Sequence, residues 1–376
     1  MNPFKYGKAV SGYQFYDRER SCAELYQTLN DGSANVVLYA PRRYGKTSLV
    51  LRVLERFRSE GIKCVYFDFS RVNTIERFCT EYTAAVYSLW GGIPELINKF
   101  GEYLVHLHPK FTFVDSPIPQ ITFDYGRRMN ALNISEVLEL PEKLSCDRGN
   151  EPVVVAFDEF QDVSGLSREI PLEAVFRSVI QSQKNVRYVF LGSKTHLIKR
   201  MFGLRTRPFY KSAHTMKIDK PPREDSERFV VSHFEGEDIS ISPEVLNRLM
   251  DVSENIPYFL QAISSLAYQS VVCRKGDSVE IADLDYAIER FMEGNEDYYA
   301  EIVRNLAGGQ LSVVEALAKA GSTSTISEQF RTEYTLGSLS SVHSSLRGLI
   351  NKGVVDSVKG EYVLTDPFFA KFIRER

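Results

Sequence analysis

The sequence predicts an α/β fold: a P-loop NTPase parallel sheet with helices on both faces, followed by a helical lid and a winged-helix domain. Three observations carry this. Val36-Val37-Leu38-Tyr39 is a short apolar run that leads through a tight loop into Gly45-Lys46-Thr47-Ser48 and an amphipathic helix. Further apolar runs at Cys64–Phe69, Pro152–Phe157 and Val186–Leu191 alternate with helical patterns, as strands of a parallel sheet do. The last quarter reads as three short helices and a hairpin.

The stretch Ala40-Pro41-Arg42-Arg43-Tyr44-Gly45-Lys46-Thr47 is the chemical centre. A strand, a tight loop and Lys-Thr opening a helix is the order a phosphate-binding loop requires. Backbone N–H groups and the positive helix end surround an anion, Lys46 reaches the β- and γ-phosphates, and the Thr47 hydroxyl ligates Mg²⁺. Ala40 stands where such loops usually carry their first glycine, which costs little if its φ is negative. The expected cofactors are therefore ATP or ADP with Mg²⁺.

Whole-chain properties set the bounds. A chain of 376 residues is too long for one ordinary core, so two or three domains are expected. They are placed at 1–221, 222–298 and 299–376. Forty-three per cent hydrophobic and 25% charged residues are those of a soluble globular protein. A net charge of -3 excludes a surface coated in cations, so any nucleic-acid contact must come from a local patch. The five cysteines (Cys22, Cys64, Cys79, Cys146, Cys273) show no CxxC pair, as in a reducing compartment. No signal-peptide pattern and no spanning apolar run is visible. A cytoplasmic protein without a membrane partner is expected.

Taken in order, a helix near Leu25 and Leu29 ends at Asn30-Asp31-Gly32-Ser33, and Gly61 stops the helix that follows the loop. A helix is expected over about Thr74–Leu89. An amphipathic helix and a loop punctuated by Pro109, Pro117 and Pro119 come next, with an extra strand at Ile121–Asp124. Helices near Ile134–Leu144 and Leu172–Ser182 flank the strand Pro152–Phe157, which ends in Asp158-Glu159. Pro221-Pro222 marks a boundary, and Arg223 to about Met292 is helical throughout, punctuated by Asn255-Ile256-Pro257-Tyr258. Beyond it lie helices Leu311–Ala320, Ile326–Tyr334 and Leu339–Lys352, the last stopped by Gly353, and a hairpin over Val354–Leu364 turning at Lys359-Gly360.

In a parallel sheet the ligand lies beyond the C-terminal strand ends, and Lys46, Asp158 and Ser193 all fall there. Asp158 suits Mg²⁺ and Glu159 suits polarising the attacking water. Ser193 either bonds the γ-phosphate or the water, or caps the segment Lys194–Met201. Arg205, Arg207 and Lys211 lie in a basic loop that is either solvated or reaches the γ-phosphate, in cis or from a neighbouring subunit of an oligomer. Arg42 and Arg43 face the phosphates, a partner or DNA, or else point to solvent, the commoner place for such side chains because the loop binds through its backbone. Phe15 and Tyr16 either stack on adenine or pack in the core. In the last helix Ser340, Ser341, His343, Ser344, Arg347 and Lys352 form an exposed polar set suited to a major groove. Residues 301–376 nevertheless carry nine Lys/Arg against eight Asp/Glu, a weak cationic footprint for a reader of duplex DNA.

These motifs together resemble the archaeal-type P-loop ATPases, a prokaryotic group within the STAND branch of AAA+-like proteins. Ala40–Leu49 is similar to their GPRRxGKTSL loop and Phe157-Asp158-Glu159-Phe160-Gln161 to their DEFQ segment. Phe15-Tyr16-Asp17-Arg18-Glu19 resembles F-x-[GD]-R-E, which implies a place by the adenine, Arg18 included. Leu191-Gly192-Ser193 resembles the GS strand end. Ile256-Pro257-Tyr258 resembles a lid motif, G-x-P-x-x-L, that implies Pro257 in the base pocket. Asn255 replaces the glycine of that motif, and Pro208-Phe209-Tyr210-Lys211-Ser212 stands where P-L-Y-G-R is expected, so the usual arginine is missing. The resemblance implies an ATP-binding and hydrolysing, nucleotide-driven switch. The alternatives are a DNA-binding regulator or mobile-element protein with nucleotide as a structural ligand, and a signalling scaffold that binds protein through the winged helix.

Overall fold

The computed structural model describes residues 2–7, 18–90, 95–112, 120–123, 129–323, 326–358 and 360–376. Its contacts divide the chain into two units, one of Glu19–Ala40 with Lys46–Ile218, the other of Met1–Arg18, Pro41–Gly45 and Asp219–Arg376.

The first unit runs α1 (Glu19–Asn30), β1 (Val36–Tyr39), α2 (Lys46–Ser59), β2 (Lys63–Asp68), α3 (Ile75–Ser88), α4 (Glu95–Tyr103), β3 (Pro109–Thr112), β4 (Gln120–Phe123), α5 (Ala131–Asp147), β5 (Val153–Asp158), α6 (Leu172–Ser182), β6 (Val186–Gly192), α7 (Thr195–Gly203) and β7 (His214–Lys217). Five strands form one parallel sheet in the order β2-β5-β6-β1-β7. All six residues of β5 are buried, which is why that run is apolar without alternation. The order sets β6 between the strand that enters the phosphate loop and the strand that ends in Asp158, so the C-terminal ends of all three are neighbours.

Under that end lies an aromatic slab. Phe157 stacks on Phe160 at 5.9 Å between centroids, and Phe160 lies 4.6 Å from Phe190. Phe176 and Tyr188 are fully buried beside them. Helix starts follow local chemistry. Thr74 caps α3 by accepting from Arg77 N at 3.2 Å, and Asn130 with Asn133 forms a reciprocal cap that starts α5. The expected proline-punctuated loop contains a strand instead: β3 begins at Pro109 and pairs antiparallel with β4. Proline is tolerated as the first residue of a strand, where no ladder donor is needed. Pro117, Pro119 and Asp124 lie outside the described residues. The edge strand β7 also went unpredicted; only Met216 of its four residues is buried, so it lacks an apolar run.

The second unit contains α8 (Arg223–Glu235), β8 (Ser240–Ile241), α9 (Pro243–Val252), α10 (Pro257–Cys273), β9 (Ser278–Val279) and α11 (Ile281–Glu293). They are followed by α12 (Glu296–Arg304), α13 (Gly308–Ala320), β10 (Ser322–Thr323), α14 (Glu328–Glu333), α15 (Leu339–Lys352), β11 (Val355–Val358), β12 (Glu361–Leu364) and α16 (Pro367–Glu375). The hairpin gains a third strand, in the order β10-β12-β11, and α15 runs as expected from a Ser338 cap to Gly353 in the left-handed region. Lys359 of the expected turn lies outside the described residues. The expected boundary between residues 298 and 299 falls within α12. Residues 2–7 dock on the helices: Asn2 Nδ2 donates to Ser265, and Phe4 is buried against Phe229 and Phe234. No described helix is long and apolar enough to cross a membrane.

Asp283 ties α10 to α11. Its carboxylate, 2% exposed, accepts from Ser270 Oγ at 2.6 Å, Arg274 Nη2 at 2.8 Å and the Glu280 amide at 2.9 Å. Burial pushes the carboxyl up, but the bonds from Arg274 and Ser270 outweigh it and hold it below the ordinary aspartate value. A group lower in the folded than in the unfolded chain stabilises the fold above the unfolded value, about pH 3.9, and that contribution disappears as the pH falls through the folded value. Asp283→Asn should therefore cost about 2 kcal/mol at neutral pH and progressively less as the pH falls below the unfolded value and through the folded one. Urea midpoints at several pH values check this, and a pH-independent loss would contradict it.

Candidate nucleotide-binding site

In the sheet unit, β1 delivers Ala40 to the sheet's C-terminal end, where its amide donates to Gly192 O at 3.4 Å. Ala40 is fully buried and its φ is negative, so the methyl group that replaces the usual glycine is accommodated without backbone strain. Lys46 opens α2, is 6% exposed, and donates from Nζ to Ala40 O at 3.0 Å. Ser48, two residues further on, is also buried. Thr47 Oγ1 donates to Asp158 Oδ2 at 2.8 Å.

Asp158 accepts from two more groups: Tyr66 OH at 2.6 Å, from β2, and the Glu159 amide at 2.8 Å. Burial pushes the Asp158 carboxyl up, and the Tyr66 and Thr47 bonds only partly counter this. Glu159 adopts φ +48°, a left-handed conformation that a non-glycine residue holds only when its surroundings fix it. Its Oε2 accepts from Ser193 Oγ at 2.7 Å and from Gln161 Nε2 at 2.5 Å. Burial pushes this carboxyl up, but those bonds and the nearby Lys46 charge prevail and leave it below the ordinary glutamate value. Two adjacent carboxylates are thus shifted in opposite directions: burial prevails at Asp158, and the hydrogen-bond donors with Lys46 prevail at Glu159.

Ser193 does not cap α7. The cap position is Lys194, without a side-chain cap bond, because the Ser193 hydroxyl is directed at Glu159. Gly192 must be glycine: a Cβ there would sit 2.0 Å from Ile198 Cγ1 and 2.7 Å from Gln161 Oε1. Arg207 is ion-paired with buried Glu173 of α6, which also accepts from Ser164 Oγ at 2.6 Å. Arg205 is exposed. Lys211 holds φ +50°, at the place where the resembling motif has glycine, and its ammonium lies 5.5 Å from the Tyr210 ring centre.

The loop residues Pro41–Gly45 belong by their contacts to the other unit. Arg43 and Gly45 take φ +71° and +81°. Alternation of this kind turns successive backbone N–H groups into a concave anion nest. Arg18, 8% exposed, donates from Nη2 to Tyr44 O at 2.8 Å and to Asp219 O at 2.9 Å. Tyr44 is buried, Pro41 half-buried and Arg42 exposed. Arg43 departs from the solvent-facing expectation: its guanidinium pairs with Asp366 and lies 4.8 Å from the ring centres of both Tyr258 and Phe259. Pro257 opens α10, and Asn255 before it takes φ +54° with its Nδ2 donating to Pro221 O at 2.7 Å. Asparagine tolerates the left-handed region, so the glycine of the resembling lid motif is replaced without loss of its turn. Phe15 and Tyr16 lie outside the described residues.

Sequence reasoning missed Tyr66, Gln161 and Asp366. Only Gln161 left a signal, as the last residue of Asp158-Glu159-Phe160-Gln161. The hydroxyl of Thr47 and the carboxylate of Asp158 are hard oxygen donors on one spot, the set that Mg²⁺ takes alongside nucleotide phosphates.

A P-loop ATPase is the class that this sheet order and these strand-end residues define. Residues 15–220, more than half of the chain, match the family described as the ATPase domain predominantly from Archaea, and the chain belongs to that family. Residues 297–375 match a family described as a probable winged helix domain. No curated protein is detectably similar. Among solved structures, the chain is similar to the Walker-type ATPase PABY2304 of Pyrococcus abyssi, with a TM-score of 0.71 and 18% identity over all of both chains. It is also similar to the Aeropyrum pernix ORC2 protein in its ADPNP-ADP complexes, with a TM-score of 0.57 and 15% identity over 95% of this chain and 91% of that one. The Aeropyrum pernix ORC1 protein in complex with DNA gives 0.52 and 15% over 97% and 93%. At these identities the likenesses establish the fold.

Proposed function

We propose that this chain binds ATP and ADP with Mg²⁺, hydrolyses ATP, and uses the difference as a conformational switch. The observation that carries the reading is the linked set in which Thr47 donates to Asp158 while Glu159, its neighbour, accepts from Ser193. Lys46 and the loop Pro41–Ser48 hold phosphates, Arg18 braces the loop, and Pro257 with Phe15 and Tyr16 serves the base. When bound, Mg²⁺ neutralises the developing phosphate charge. Thr47 and Asp158 are the residues that hold it. Glu159, kept ionised, accepts hydrogen bonds from a water aimed at the γ-phosphate, and Ser193 fixes the carboxylate that does so. The ATPase part of 1–221, a lid of 222–298 and a winged helix of 299–376 are the pieces such a switch moves.

The family match and the ADPNP-ADP complexes of the ORC2 protein support nucleotide binding. A second reading adds duplex DNA. Ser340, Ser341, His343, Ser344 and Arg347 are all exposed on α15, and the ORC1 protein of similar fold is seen in complex with DNA. Lys352, however, is engaged in the fold, donating to Asn305 O at 2.6 Å and Gln310 Oε1 at 3.0 Å. The test is turnover of Mg²⁺-ATP by the purified chain, with and without duplex DNA, beside direct titration with ADP. Turnover accelerated by DNA supports both readings, and unaccelerated turnover supports the ATPase alone. A chain that binds nucleotide but does not turn it over reduces the protein to a nucleotide-binding switch.

A further inference from the structure

Arg43 has no local reason for its conformation. An L-residue other than glycine pays a steric penalty in the left-handed region, and arginine lacks the short polar side chain that lets asparagine or aspartate offset it. Such a residue persists where its surroundings over-determine it. Here they do so from three helices. The guanidinium is ion-paired with Asp366 and lies over Tyr258 and Phe259, in the first turn of α10. Asp366 is itself fixed. It caps α16 by accepting from the Phe368 and Phe369 amides at 2.9 and 3.0 Å, and Tyr299 OH of α12 donates to it at 3.3 Å. Asp366 is 8% exposed and Tyr299 fully buried. One residue further on, Arg18 holds the Tyr44 carbonyl, so the loop backbone is gripped at successive residues.

We propose that Asp366 is a positioning residue of the nucleotide site: through Arg43 it holds the phosphate loop in the backbone conformation that binds phosphate, which couples the winged-helix region to nucleotide occupancy. The inference rests on the reading that this loop binds nucleotide. A loop that reaches its binding conformation only part of the time binds more weakly by that fraction. The steric penalty at Arg43 corresponds to about a tenfold loss. Coupling is reciprocal, so bound nucleotide must in turn tighten the contacts of Asp366.

The experiment is a titration of the full chain with a fluorescent ADP analogue and Mg²⁺, using wild type, Lys46→Ala, Asp366→Asn, Arg43→Gly and the double variant Arg43→Gly/Asp366→Asn. Asparagine still accepts from the Phe368 and Phe369 amides, so the cap of α16 survives. Glycine takes the left-handed conformation without help, so a loop with Gly at position 43 no longer depends on Asp366. Asp366→Asn is expected to weaken binding about tenfold in the wild-type background and to have no effect in the Arg43→Gly background. Hydrogen exchange supplies the second readout: nucleotide should slow exchange of the α16 amides in wild type and not in Arg43→Gly. An equal loss from Asp366→Asn in both backgrounds would mean a merely structural role and overturn the inference, as would unchanged affinity. A wild type that binds no nucleotide, or no more than Lys46→Ala does, overturns the underlying reading as well.

Discussion

Lys46→Ala is expected to weaken Mg²⁺-ATP and Mg²⁺-ADP binding about 100-fold while leaving the unliganded fold intact. Lys46 is 6% exposed, and within the sheet unit its Nζ donates to a loop carbonyl, Ala40 O, at 3.0 Å. A charge-assisted bond to phosphate in such a place contributes about 1.5–3 kcal/mol, and each 1.4 kcal/mol is about tenfold in affinity. The fold does not depend on this charge in the same way. Lys46 sits at the first residue of α2, where the helix dipole disfavours a cation. Alanine is also the strongest helix former. Thermal unfolding should therefore begin at the wild-type temperature without nucleotide. The upward shift that ADP at 100 times the wild-type Kd is expected to give wild type, about 2.7 kcal/mol, should fall to about 0.4 kcal/mol in the variant at the same concentration. Wild-type affinity in Lys46→Ala would remove phosphate binding at this loop from the account.

All strands of the sheet but the edge strand β7 were legible because burial leaves apolar runs that no surface strand shows; Val153–Asp158 is the clearest case. Lys46, Thr47, Asp158, Glu159 and Ser193 were legible because strand register alone places them at one end of the sheet. What stayed hidden depended on distant residues. Tyr66 lies in the middle of β2, and nothing in Cys64-Val65-Tyr66-Phe67 says that its hydroxyl ends 2.6 Å from Asp158. The partner of Arg43 is 323 residues away and reads locally as a helix cap, so its second task has no sequence signature. The Asn255 turn was readable only as a missing glycine; the backbone keeps φ positive there, which turns an apparent loss into a tolerated substitution, and the positive φ of Lys211 went unpredicted.

Glu159→Gln should lower ATP turnover about 10²–10⁴-fold, the usual contribution of a positioned acid or base, with nucleotide affinity within a few-fold of wild type. The variant is nearly isosteric, so the loss isolates the charge. In the wild type both Ser193 and Gln161 donate to one carboxylate oxygen, an arrangement only an acceptor can satisfy. A carboxamide retains one acceptor and brings an NH₂ that must face a donor or turn away, so the group loses its orientation together with its charge. The pH profile provides an independent check. Because those donors and Lys46 hold the carboxyl below the ordinary glutamate value, the group stays ionised throughout the neutral and mildly acidic range. Turnover should therefore show no loss assignable to Glu159 until the pH falls below about 4.3. Ser193→Ala removes one of the two donors and should move that acid limb upward, whereas a serine that served only the fold would leave it in place. Undiminished turnover in Glu159→Gln would transfer the water-activating role to another group. Single-turnover kinetics with pre-bound Mg²⁺-ATP distinguishes that outcome from slow product release, since only the chemical step responds to the carboxylate.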